Sequence, residues 1–216
     1  MTVHPLVARE ITFEYERSDR TILNGWSAEF PAGSMTGITG PSGTGKSTLL
    51  YILGLMLKPA AGEIAVEGVP VAHLHDAGRA QLRADAFGFV FQDAALDATR
   101  TVLDNVTEVA LYRGQKRADL VGRAQELLER FGVDVPAHRK PGQVSGGQAQ
   151  RIALCRALLN EPPIILADEP TGNLDPATST MVVRALRDHA HAGATVIVVT
   201  HDPAVADACD IEMRLG

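Results

Sequence analysis

The segment SMTGITGPSGTGKSTLL, residues 34–50, holds a complete phosphate-loop pattern between two elements of opposite type. Gly40, Pro41, Ser42, Gly43, Thr44, Gly45, Lys46 and Ser47 satisfy G-x-x-x-x-G-K-[ST] at every required position. The glycines let backbone amides curl around phosphate oxygens, Lys46 reaches toward the β- and γ-phosphates, and the Ser47 hydroxyl is a ligand for Mg²⁺. Thr48 continues the pattern into the following turn. A glycine-rich turn can match by chance. This one is entered from a short strand and opens a helix read over residues 46–57, stopped by Pro59, which is the context the chemistry requires.

Outward from this loop the elements alternate. LVAREITFEY and TILNGWSAEF read as extended segments joined by the polar stretch 16–20. EIAVEGVPV returns to strand character, and GFVFQ, residues 88–92, is a brief apolar strand with a polar end. Leu120, Val121, Ala124, Leu127, Leu128 and Phe131 form one stripe of an amphipathic helix, and the region 93–145 reads as helical. A second helix runs through QRIALCRALLN to Pro162-Pro163; IILAD is a buried strand, residues 176–191 another helix and ATVIVVT another strand. Such alternation implies a mostly parallel sheet covered on both faces. A short strand closes the chain at Gly216, with no appended domain expected beyond it.

A length of 216 residues suits a single domain with a substantial core. With 20 basic and 26 acidic side chains the net charge is −6, which argues against broad attraction to nucleic acid. Aromatic residues at 5% argue against a base-stacking platform. Cys155 and Cys209 lie far apart without CxxC spacing and read as ordinary thiols of a reducing compartment. The N-terminus lacks a signal-peptide pattern, and no apolar run approaches the ~20 residues of a membrane span. His73 and His75 share a loop with Asp76, and His189 and His191 sit two apart on a helix without sharing a face; neither pair makes a good metal site. QKR at 115–117 and HRK at 138–140 read as solvated basic patches.

IILADEP supplies the second half of the chemistry. Asp168 emerges at the C-terminal end of a buried strand, where open α/β sheets place their ligands, and is a candidate Mg²⁺ ligand. Glu169 next to it can polarise a water against the γ-phosphate. An Asp-Glu pair at a strand end is ordinarily just solvated, but here it shares a chain with a complete phosphate loop. Asn-Lys-x-Asp, the guanine-recognition pattern, is missing, and no acceptor pocket for a small-molecule kinase is legible. VSGGQ at 144–148 argues against both: two glycines and a serine open a long helix, whose N-terminal N–H groups form a second anion site.

Tyr15, the phosphate loop, Gln92, VSGGQ, Asp168-Glu169, Asn173-Leu174-Asp175 and His201 follow one another in this order. Over nearly its whole length the sequence resembles the nucleotide-binding subunit of an ABC (ATP-binding cassette) transporter. The resemblance implies one nucleotide-binding domain, 1–216. Its P-loop NTPase (RecA-like) α/β core would occupy 1–92 and 150–216 with a mostly parallel sheet and an N-terminal antiparallel β subdomain. An inserted α-helical subdomain with the signature loop would occupy 93–149. It further implies ATP and Mg²⁺ as cofactors. Tyr15 would stack on adenine, Gln92 would reach Mg²⁺ and the attacking water, and His201 would bond the γ-phosphate. Ser145, Gly146, Gly147 and Gln148, with Asp175, would face a nucleotide held by a second, head-to-tail copy.

TGNLD and GFVFQ resemble the branch serving macrolide export, lipoprotein release, bacterial cell division and antimicrobial-peptide export. That implies docking on integral membrane subunits at the cytoplasmic face of the inner membrane. Departures from the branch are DAALDATRT after Gln92, in place of a Leu-Leu-Pro-like stretch, Val144 for leucine and Cys155 for alanine. The first lies in residues 93–100, where the family meets its membrane partner. The resulting expectation is an ATPase driving export or extraction of a hydrophobic or peptide-like substrate. The alternative is a mechanical ATPase that moves a membrane protein without transport. A chromosome-organising cassette would need a long coiled-coil insertion and a translation factor two cassettes; this sequence has neither.

Overall fold

Alternating apolar and polar side chains extend the N-terminal part of the chain into strands. The computed structural model describes residues 5–15, 21–172 and 174–216; the polar link 16–20 and Asn173 lie outside the described residues. In chain order, β1 (Leu6–Glu14), β2 (Thr21–Phe30) and β3 (Ser34–Thr39) precede α1 (Lys46–Leu53), and β4 (Ala61–Val66) and β5 (Val69–Pro70) follow it. Next come α2 (Asp76–Ala86), β6 (Phe87–Val90), α3 (Val102–Val106), α4 (Val109–Arg113) and α5 (Arg117–Arg130). The chain continues with α6 (Gly146–Leu158), β7 (Ile164–Asp168), α7 (Pro176–His191), β8 (Thr195–Val199), α8 (Pro203–Asp207) and β9 (Ile211–Arg214).

Two sheets result. An antiparallel one has the order β2-β1-β4-β5, and a five-stranded one, parallel at every pairing, has the order β6-β7-β8-β3-β9. This is the α/β architecture the sequence implied, with the antiparallel sheet at its N-terminal side. Strands β7 and β8 are buried along their full length, as a sheet covered on both faces requires. Their alternate residues feed two cores. Ile165, Ala167, Val196 and Val198 pack with α5, α6 and α7, whereas Ile164, Leu166, Ile197 and Val199 pack with α1 and the antiparallel sheet.

Two elements differ from the sequence reading. Helix α1 stops at Leu53 rather than Leu57, because Gly54 and Leu55 (φ 60°) turn the chain and the N–H groups of Met56 and Leu57 both donate to Tyr51 O. Glycine is required at 54: a Cβ there would lie 2.7 Å from the Phe89 ring. Residues 76–86 form helix α2 instead of continuing the loop of His73, His75 and Asp76. His75 Nδ1 accepts the Gly78 N–H at 3.2 Å and so caps the helix. The Arg79 and Arg83 guanidinium groups of α2 donate to the carbonyls of Leu55 and Leu57 beyond α1, a long-range anchorage that a local pattern does not display.

The division expected at residue 150 falls inside α6, one continuous helix joining the signature residues to the core. Against α6 the backbone of β6 approaches closely, and a Cβ on Gly88 would stand 2.5 Å from Ala157 O. Gly88→Ala is therefore expected to cost about 1–3 kcal/mol, a fall of roughly 3–10 °C in Tm. Thermal unfolding checks this; an unchanged Tm would contradict the tight strand-to-helix contact. Among the described residues no helix is long and apolar enough to cross a membrane.

Candidate active site

Because every pairing in the five-stranded sheet is parallel, the strands deliver their C-terminal ends to one edge. β3 ends in the phosphate loop, β7 in Asp168 and Glu169, β8 in Thr200 and His201, and β6 just before Gln92. The strand order inserts β8 between the loop strand and the carboxylate strand.

The loop is bent as its glycines allow. Gly40 (φ 145°) has no room for a side chain, since a Cβ would fall 2.1 Å from Leu215 O, and Gly45 (φ 93°) passes 2.3 Å from Ile22 by the same measure. Lys46, only 8% exposed, folds its ammonium back onto the loop and donates to Gly40 O at 2.8 Å and Pro41 O at 2.9 Å. Thr44 Oγ1 also donates to Pro41 O. Ser42 and Gly43 are exposed at the loop tip. A buried cation aimed into a ring of backbone is a site for phosphate oxygens. Beside it the exposed Tyr15 ring shares a hydroxyl hydrogen bond with Thr48 Oγ1 at 3.0 Å and is propped edge-on by Phe13.

Ser47 Oγ donates to Asp168 Oδ1 at 3.1 Å. Burial pushes the Asp168 carboxyl up from its ordinary value and the neighbouring Glu169 charge adds to this, while the Ser47 hydrogen bond opposes it. A desolvated carboxylate against a hydroxyl gains most from a hard cation, and Gln92 contributes an amide to the same cleft of about 440 Å³, with Tyr51, Phe91 and Asp93. These oxygens fit Mg²⁺. Glu169 holds a left-handed backbone (φ 45°), uncommon for a side chain of its size. Its N–H donates to Val199 O, and both carboxylate oxygens are engaged, Oε1 by His201 Nδ1 at 2.7 Å and Oε2 by the Thr200 hydroxyl at 3.3 Å.

A model of the ABC transporter family matches residues 23–172. The chain belongs to that family. The lipoprotein-releasing system ATP-binding protein LolD of Myxococcus xanthus is 44% identical over 196 residues, covering 90% of this chain and 88% of that protein. The macrolide export ATP-binding/permease protein MacB of Escherichia coli is 43% identical over 215 residues, covering 98% of this chain but 33% of MacB. Among solved structures, the dimeric cassette MJ0796 in a post-hydrolysis state bound to ADP and Pi superposes with a TM-score of 0.90 at 35% identity, covering 97% of this chain and 94% of that one. The chain is an ABC ATPase, which binds ATP with Mg²⁺ and hydrolyses it.

The remaining motif residues of the cassette stand at helix starts. Ser145 and Gln148 close a reciprocal capping box, with Ser145 Oγ accepting the Gln148 N–H and Gln148 Oε1 accepting the Ser145 N–H. Ser145 and Gly146 are exposed and Gly147 half-buried, so the N-terminus of α6 opens outward. Asp175 caps α7, accepting from Ala177 and Thr178, and the Thr178 hydroxyl holds its carboxyl below the usual range. Gln150, Thr200 and Tyr51 escaped the sequence reading. Buried Gln150 donates to Phe91 O at 3.0 Å and Pro170 O at 3.2 Å, lashing α6 to the residues flanking Gln92 and Glu169. Its polar type within an amphipathic helix is the only sequence signal it carries.

Proposed function

We propose that this ABC ATPase is the motor subunit of a machine at the cytoplasmic face of the inner membrane, exporting or extracting a lipoprotein, peptide or hydrophobic small molecule through separate permease subunits. Two copies close head to tail on ATP, and hydrolysis releases them. The observation that carries this reading is the outward-facing start of α6. Ser145 and Gly146 are exposed and bonded within their own helix end, while the phosphate loop and both acidic residues gather at the sheet edge. Each chain thus supplies two half-sites.

In each composite site, Gly40, Ser42, Gly43, Thr44, Gly45 and Thr48 cradle the phosphates, and Lys46 exchanges its two carbonyl partners for β- and γ-oxygens. Tyr15 stacks on the adenine. Ser47, Asp168 and Gln92 hold Mg²⁺; charge neutralisation on the β- and γ-phosphates is what that ion supplies when bound. Glu169, oriented by Thr200 and His201, accepts the proton of the attacking water, and His201 moves toward the γ-phosphate. Ser145, Gly146, Gly147 and Gln148 of the second copy cover that phosphate, with Asp175 at the seam. The permease is proposed to seat in a groove of about 400 Å³ lined in part by Met56, Phe89, Phe91, Ala95 and Tyr112, with Tyr112 62% exposed. Residues 93–100 reach it through Ala95, and the segment is held by Arg156 donating to Ala94 O and Ala95 O and by Asn105 accepting the Asp97 N–H. They are suited to select the partner.

The test combines lesions in different chains. Lys46→Ala is placed in one chain and Ser145→Arg in another, each on a Glu169→Gln background. Each homodimer has two damaged sites, whereas the mixed dimer has one site joining an intact Lys46 to an intact Ser145. Trapped ATP, up to one nucleotide per purified mixed dimer, is expected above the homodimer controls. A site built within one chain predicts none. The measurement is repeated with the permease holding the dimer together, and absence of trapping there would overturn the composite site.

A further inference from the structure

We infer that Tyr51 is a positioning residue of the ATPase site, fixing the Asp168 carboxylate and tying it to an aromatic strip that runs out along β6; this rests on the metal role proposed for Asp168. The phosphate-loop pattern specifies nothing at residue 51, one turn beyond Ser47 along α1. Residues four apart on a helix share a face, so Ser47 and Tyr51 meet the same carboxylate from one helix. Ser47 Oγ donates to Oδ1 at 3.1 Å and the Tyr51 hydroxyl to Oδ2 at 3.4 Å. With both oxygens engaged, the carboxylate cannot turn about its own axis without breaking a hydrogen bond, and Oδ1 stays aimed at the loop.

The Tyr51 ring is itself held. Phe91 packs against it with centroids 6.4 Å apart and planes 56° apart, Phe89 stacks on Phe91 at 5.8 Å, and Phe87 on Phe89 at 5.9 Å. The three phenylalanines alternate along the edge strand and its continuation, and therefore face one side. Phe89 and Phe91 line the groove beside Met56 and Tyr112, and Phe91 and Tyr51 line the cleft beside Gln92 and Asp168. One continuous set of rings thus joins the groove to a carboxylate oxygen.

Tyr51→Phe keeps the ring and deletes the hydroxyl. With the ADP-bound protein and Mn²⁺ as the spectroscopic probe, electron paramagnetic resonance is expected to read an affinity about three- to ten-fold weaker, the weight of one ordinary hydrogen bond, as befits a 3.4 Å contact. The Mg²⁺ concentration for half-maximal ATPase should rise by the same factor, while KM for ATP at saturating Mg²⁺ and the Tm of the ligand-free protein hold. Phe91→Ala, which leaves the hydroxyl but removes its buttress, should shift Mn²⁺ affinity in the same direction by a smaller factor. Unchanged Mn²⁺ affinity in Tyr51→Phe, with or without a lower Tm, would overturn the inference, and an unchanged affinity in Phe91→Ala would remove the strip from it. Asp168→Asn separates the two levels: if that variant also binds Mn²⁺ normally, the metal role of Asp168 fails first and the Tyr51 inference with it.

Discussion

Lys46→Ala is expected to abolish measurable ATP hydrolysis, lowering kcat/KM by roughly 10³-fold or more, as loss of a preorganised charge stabiliser does. The size follows from the state of the ammonium before ATP arrives. It is buried, and its two hydrogen bonds go to Gly40 O and Pro41 O at 2.8 and 2.9 Å, so much of its desolvation is met by the folding of the loop. Exchanging those neutral carbonyls for phosphate oxygens adds an ionised acceptor to each of the two ammonium hydrogen bonds, turning them into ion pairs with little reorganisation. Alanine removes this gain and takes the ammonium from both loop carbonyls, although Pro41 O keeps the Thr44 hydroxyl. A fluorescent-nucleotide titration should report severely weakened binding beside the lost turnover. Unchanged activity in the purified variant would sink the phosphate-loop assignment.

Glu169→Gln should separate binding from chemistry. The amide preserves the size of the side chain but removes the base, so ATP still binds while turnover drops by roughly 10²–10⁴-fold. The surroundings of Glu169 sharpen this expectation. His201 Nδ1 and the Thr200 hydroxyl meet separate carboxylate oxygens, at 2.7 and 3.3 Å, whereas an amide offers only one oxygen. One of these partners must therefore give up its bond or reverse its role. The left-handed backbone at residue 169 is unaffected, because the substitution changes neither branching nor bulk. Size-exclusion chromatography with light scattering should find an ATP-dependent dimer of the variant. Normal turnover would move the base elsewhere in the site.

Much of the site was legible because its chemistry is local. A phosphate loop needs glycines at fixed intervals, a lysine and a hydroxyl within eight consecutive residues, and Gly40 to Ser47 contain them all. The serine and two glycines of VSGGQ, which open α6, lie within a single turn and are readable for the same reason. IILAD and ATVIVVT are unbroken apolar runs, which a sheet buried on both faces demands. By itself, the sequence determined the parallel α/β core, the residues at the ends of its strands, and the family.

Tertiary structure alone decided how those ends are ordered and what holds them. No local pattern tells that β8 lies between β3 and β7, because strand order depends on which faces can bury one another across the whole chain. Helix α2 carries one large apolar side chain, Leu82, and is anchored by Arg79 and Arg83 on carbonyls beyond α1, so it depends on partners more than twenty residues away. The hydrogen bonds of Tyr51 to Asp168, Gln150 to Pro170 and Thr200 to Glu169 likewise span long stretches of chain. A side chain's neighbours in sequence set its backbone conformation; the groups that orient its reactive atoms are chosen by packing, and packing belongs to the folded molecule.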